Sequence, residues 1–181
     1  MINEQDVKAY FTEVDAIANG YFKENLPSKS DEAVSKLVGI FKGSDDATKR
    51  NIIDECNKNR RRSSVILCYM ERMANLAVRE KNKAYLINAL TAMAIENFNQ
   101  EDKEFFIIMP LIAYSAQKIG HDPKTLFIEA AKYAVGESVK YLDYSKSKYE
   151  PDVNIRQSLY EESETPDGLF VYKNLRRRVK D

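Results

Sequence analysis

The chain has 181 residues, 44% of them apolar, with 28 basic side chains balanced by 28 acidic ones. That length suits one domain with a sizeable core, and the charge balance gives no overall pull toward nucleic acid or another polyanion. The polar, acidic start MINEQDVKAYF lacks the pattern of a secretory signal, and the longest apolar run, Phe105 to Tyr114, is about half of the ~20 residues a membrane-spanning helix needs, so a cytoplasmic protein is expected.

The first segment carries Val7, Tyr10, Phe11, Val14, Ile17, Ala18, Tyr21 and Phe22 at spacings of three and four, which puts all eight on one face of a helix. Asn3 is its expected cap, and Leu26-Pro27 its end, because the residue before proline is pushed out of the helical region. A second helix is expected after Ser30, with Val34, Leu37, Val38 and Phe41 as its stripe and Gly43 as a left-handed cap. Ser44-Asp45-Asp46 reads as the next helix start, with acidic groups at the positive end of the helix dipole.

From Ser44 through Met109, 66 residues contain neither glycine nor proline. Helices tolerate that, whereas strands joined by turns rarely do. One continuous helix would be a rod ~100 Å long, so the chain is expected to turn at Asn57-Lys58-Asn59, Lys81-Asn82-Lys83 and Asn97-Phe98-Asn99. Asparagine adopts the left-handed conformation more readily than most residues. Between these breaks, Ile66, Leu67, Met70, Met73, Ala74 and Ala77, and then Leu86, Ala89, Leu90, Met93 and Ala94, have helical spacing.

Gln100-Glu101-Asp102 supplies an acidic helix start before EFFIIMPLIAYSAQKIG. This stretch is apolar almost all round, as expected of a helix covered on several sides. Pro110 is expected to kink it or begin a new helix, and Gly120 to end it. Asp122-Pro123 opens the next helix, with Asp as cap and Pro at the first position, and Leu126, Phe127, Ala130, Ala131, Ala134 and Val135 form its stripe. After Tyr144 the composition changes. The chain therefore divides into a helical domain, residues 1–145, and a partly docked C-terminal tail, residues 146–181. In the tail Leu169 to Tyr172 suits a short helix or an extended piece.

Residues Ile66 to Ala94, shifted by 40, fall on Phe106 to Ala134: Ile66 meets Phe106, Met73 meets Ala113, Leu86 meets Leu126, Leu90 meets Ala130 and Ala94 meets Ala134. Each copy is two helices. With its kinking proline, apolar first helix, small-residue second helix and intervening Asp-Pro, the stretch from about residue 60 to 140 resembles a HEAT-type pair of the α-solenoid repeats. The expected fold is all-α: antiparallel helical hairpins stacked as a short HEAT-like array, with an irregular helical bundle as the alternative. The resemblance implies a scaffold that offers a surface to a macromolecule and implies no reaction.

The residues that might carry chemistry are few. His121, the only histidine, reads as a turn residue between Gly120 and the Asp122 cap. Cys56 and Cys68 sit among apolar helical residues and read as buried free thiols. The pairs Glu101–Glu104 and Glu161–Glu164 have the i, i+3 spacing some magnesium-dependent all-α hydrolases use, but a helix start and a loose tail account for them without a metal. No catalytic set, cofactor or metal is expected. The arginines of Lys58-Asn-Arg60-Arg61-Arg62 oppose the dipole at a helix start, so Lys58, Arg60, Arg61 and Arg62 are the candidate partner-binding residues, with Asp54, Glu55 and Glu71 as their countercharges if the cluster is a solvated face. Arg176-Arg177-Arg178 repeats the theme near a helix end. The expected function is a non-enzymatic protein–protein interaction module of adaptor or immunity type. The alternative is a nucleic-acid binder with a basic groove, and no membrane is involved.

Overall fold

The computed structural model describes residues 4–24, 27–96 and 103–136. These residues form α1 (Glu4–Glu24), α2 (Pro27–Gly43), α3 (Asp46–Cys56), α4 (Arg60–Glu80), α5 (Ala84–Glu96), α6 (Lys103–Lys118) and α7 (Pro123–Ala131), with no strand among them. The all-α expectation holds. Asn3, Leu26, Asn97 to Asp102 and everything after Gly136, including the expected tail and Glu161–Glu164, lie outside the described residues.

The helix ends follow local chemistry. Asp45 caps α3 by accepting the Thr48 N–H at 2.8 Å, and Asp122 caps α7 by accepting the Lys124 N–H at 3.0 Å, with Pro123 at the first position as expected. Gly120, at φ +80°, closes α6. The His121 N–H reaches the Ala116 carbonyl at 2.9 Å and the Gly120 N–H that of Gln117 at 3.0 Å, which makes a complete Schellman motif.

Several boundaries differ from expectation. α2 begins at Pro27 rather than after Ser30, since proline's fixed φ suits a first helical position whose N–H would be orphaned anyway. Gly43 takes no left-handed turn. It is the last residue of α2, and Ser44 closes the helix by donating its Oγ–H to the Ile40 carbonyl at 2.7 Å. The breaks at 57–59 and 81–83 fall as expected, but the left-handed residue is Lys81, at φ +53°, not an asparagine. Asn57 stays right-handed, and Asn82 instead accepts the Ala84 N–H at 2.9 Å at the head of α5. α6 runs through Pro110 as one helix, so the proline does not start a second. α7 stops at Ala131, which leaves Ala134 and Val135 beyond it.

Where side chains are described, the apolar stripes read from the sequence form the core, with Tyr10 half-buried, while the side chains of Ile17, Ala18, Tyr21, Phe22 and Phe105 to Met109 lie outside the described residues. Val7, Phe11 and Val14 of α1, Val34, Leu37, Val38 and Phe41 of α2, and Ile66, Leu67, Met70, Met73, Ala74 and Ala77 of α4 are all buried. Each fully covered Leu, Ile, Val or Phe contributes about 1.5–3 kcal/mol relative to exposure. Among the described residues the most enclosed helix is α5, where ten of the thirteen residues are buried. It packs against α2, α3, α4 and α7. Ala89, Ala92 and Ala94 let those neighbours approach closely, and the one buried hydroxyl, Thr91, donates to the Ile87 carbonyl at 2.8 Å. α4 packs against α1, α2 and α6 as well as α5.

Candidate interaction surface

The turn that carries the candidate cluster is built from the end of α3. The Asn57 N–H donates to the Ile53 carbonyl at 3.1 Å and its side-chain amide to the same oxygen at 2.9 Å, which ends the helix. The Arg62 N–H donates to the Asn59 carbonyl at 3.0 Å and opens α4. Three of the four candidates therefore stand in the first turn of α4 and the fourth, Lys58, in the loop before it. Their environments differ.

Arg62 points inward. It is 8% exposed, and its fork grips Asp15 of α1 with Nε–Oδ1 and Nη2–Oδ2 both at 2.7 Å. Nη1 donates to the Glu55 carbonyl and stands 3.5 Å from the Glu55 carboxylate. The guanidinium carbon lies 4.9 Å from the Phe11 ring centroid, so a cation–π contact supports its flat face. The Asp15 hydrogen bonds, above all, raise the Arg62 pKa further, against a smaller opposing effect of burial. Of the three countercharges expected from the sequence, only Glu55 meets Arg62, and Asp15 does the larger share from another helix. The residue joins α1, α3 and α4 and has no donor face turned to solvent for a partner.

Lys58 is a surface group. Its side chain is 63% exposed and its ammonium pairs with Glu55 at 2.8 Å. That hydrogen bond, together with the charges of Lys58, Arg62 and Lys8, holds the Glu55 carboxyl below its ordinary value, against a smaller upward effect of burial. The side chains of Arg60 and Arg61 lie outside the described residues. Beside the turn, a groove of about 250 Å³ runs between α1 and α3, lined by Val7, Lys8, Asn51, Asp54, Glu55 and Lys58. Its walls carry both signs of charge and one apolar side chain.

The remaining candidates are quiet. His121 is exposed in the turn after α6, as read from the sequence. Cys56 and Cys68 are buried thiols. Cys56 lies 3.8 Å from the Glu96 carboxylate, and burial first, then that negative neighbour, raises its pKa well above the ordinary thiol value, so it stays protonated and poorly nucleophilic. Glu101 and the Glu104 side chain lie outside the described residues. Among the described residues no three His, Cys, Asp or Glu side chains converge as a metal ion would require, and no helix is long and apolar enough to cross a membrane.

The inward turn of Arg62 has a sequence signal. Arg62 precedes Ile66, Tyr69 and Met73 by four, seven and eleven residues, all of them buried, so it falls on the apolar stripe of its helix rather than on the polar face. Its partner Asp15, 47 residues away, leaves no comparable trace. Compared with protein-family models, with curated proteins and with solved structures, the chain finds no match.

Proposed function

We propose that the chain is a non-enzymatic protein-binding module that works in the cytoplasm as an adaptor or immunity-type protein, in which HEAT-like hairpins α4–α5 and α6–α7 carry a docking surface at the α3–α4 turn. Lys58, Arg60 and Arg61 form its basic rim, the α1–α3 groove receives a polar segment of the partner, and Arg62 positions the rim. The observation that carries this reading is the lock of Arg62 on Asp15 and Glu55: α1 and α3, which line the groove, are held to α4 by one buried fork, while Lys58 stands exposed at the groove's edge. Two further observations support it. α4 packs on α6 and α5 on α7, the pairing a 40-residue repeat of hairpins requires. The groove also mixes lysines with Asp54 and Glu55, which suits a partner carrying both charges better than a uniform phosphate backbone.

The test is affinity capture from a native lysate with the wild-type chain and with a Lys58→Glu, Arg61→Glu variant whose circular dichroism matches it. A stoichiometric protein recovered by the wild type and lost by the variant supports the reading. Equal recovery by both overturns the assigned surface. Retention on duplex DNA that falls steeply with salt would move the assignment to a nucleic-acid binder.

A further inference from the structure

The last turn of α3 carries two neighbouring acids, Asp54 and Glu55, at the negative end of the helix dipole, and no basic residue of its own. The two are served unequally. Three cations act on Glu55: the Lys58 ammonium at 2.8 Å, the Arg62 guanidinium at 3.5 Å and, through its charge, Lys8. Asp54 is exposed, and among the described residues its carboxylate has no hydrogen bond or ion pair. Asn51 stands three residues earlier, on the same face of the helix, and is exposed with its side-chain amide equally uncommitted.

Both residues line the groove between α1 and α3, with Val7 as its one apolar wall and Lys8, Glu55 and Lys58 as its other polar ones. The formal charges of the groove cancel, two lysines against two acids. The internal pairings leave a remainder, because both lysines are turned on Glu55. What the groove still offers a visitor is acceptor capacity: two oxygens on Asp54 and one on Asn51. Its volume of about 250 Å³ falls below the roughly 300–1,000 Å³ of small-molecule pockets, so it suits one long side chain. A guanidinium can bond both carboxylate oxygens at once and lay its stem on apolar surface, whereas an ammonium meets the same acceptors as a point charge.

On the protein-binding reading proposed for this surface, we infer that the partner inserts an arginine into the α1–α3 groove, with its guanidinium on Asp54 and Asn51 and its stem along Val7. Acidic groups of the same partner meet the basic rim, so the two charges of the partner are read at two places on one surface.

The test is titration of the full chain, followed by NMR, with N-acetyl-arginine amide, with its uncharged isostere N-acetyl-citrulline amide and with N-acetyl-glutamate amide. The wild type is compared with Asp54→Asn and with Asp46→Asn, an exposed acid at the other end of α3. The arginine probe should shift the Asn51 side-chain amide and the Asp54 signals, and the citrulline probe should leave them in place. Affinity for the arginine probe should fall roughly tenfold in D54N, the loss of one charge-assisted hydrogen bond, and stay at the wild-type value in D46N. Asp54 is exposed, so D54N keeps the fold, which circular dichroism verifies. An equal response to arginine and citrulline, a stronger response to glutamate, or full arginine affinity in D54N would overturn the site. The titration needs no partner, so it fails or succeeds separately from the lysate capture. An arginine-selective response beside an empty capture supports the groove while the docking surface falls. A partner that is lost by the Lys58→Glu, Arg61→Glu variant but retained in full by D54N keeps the docking surface and overturns the arginine.

Discussion

At the scale of single residues, the fold rests on a few polar locks set into apolar seams, among them Arg62 with Asp15 and Glu55. Removing one member of a largely buried pair leaves the other charge stranded, so Arg62→Ala should lower stability by about 2–3 kcal/mol, reduced from the fully buried range because Asp15 is 29% exposed. Arg62→Lys should recover little of that, since an ammonium cannot span both Asp15 oxygens. Urea unfolding of the two variants, of Asp15→Ala and of the double variant checks this, and a coupling energy near zero would refute the lock. Tyr69 makes a second prediction. The buried phenol accepts a hydrogen bond from Ser35 at 3.3 Å, and burial pushes its pKa up from 10.0 to about 12. The folded state therefore holds the proton more tightly than the unfolded one. The contribution is complete below the unfolded value and is lost as pH rises from 10.0 to about 12. Tyr69→Phe should flatten that alkaline loss while changing stability at neutral pH by less than about 1 kcal/mol, as pH-dependent urea unfolding will show.

At the scale of elements, the ends of the helices are where composition and geometry disagree most usefully. The apolar stripes were readable because burial follows the 3.6-residue period, so Leu37, Phe41, Ile66 and Leu90 sit where their spacing puts them. Asp45 and Asp122 were readable because a cap depends on residues three or fewer positions away. Which residue would turn left-handed after α4 was not readable, because neighbouring Lys81 and Asn82 compete for the position and the head of α5 decides it. Asn82 is needed to accept the Ala84 N–H, so Lys81 takes the strained conformation. Lys81→Gly should therefore stabilise the protein by about 1 kcal/mol, and Gly120→Ala, at φ +80°, should cost a similar amount. Opposite shifts in the urea midpoint at unchanged m-value would bear out both. The basic cluster was legible as a cluster, yet its division between inward Arg62 and outward Lys58 depends on an acid in α1 that local patterning does not reveal.

At the scale of the whole molecule, the organising element is α5, which touches helices from both sides of it in the chain. The uninterrupted apolar run around Phe105 drew attention in the sequence, whereas α5, with its alanines and a threonine, looked like one stripe among several. Small residues understate how closed a helix is, since they bury little area each but admit more neighbours. Native-state hydrogen exchange should show the amides of Ala89 to Ile95 opening only with global unfolding, and the first turn of α7 opening sooner. Exchange in α5 as fast as in that turn would contradict its central place.

The enclosure of α5 also bears on synthesis. The greasy sides of α2 and α3 leave the ribosome well before the segment that covers them, and that of α4 just ahead of it, so the growing chain must shelter those surfaces until Ala84 to Glu96 has emerged. A ribosome-stalled fragment ending before Ala84 should accordingly be the species that chaperones hold longest, and release should coincide with the appearance of α5 rather than with the completion of α4.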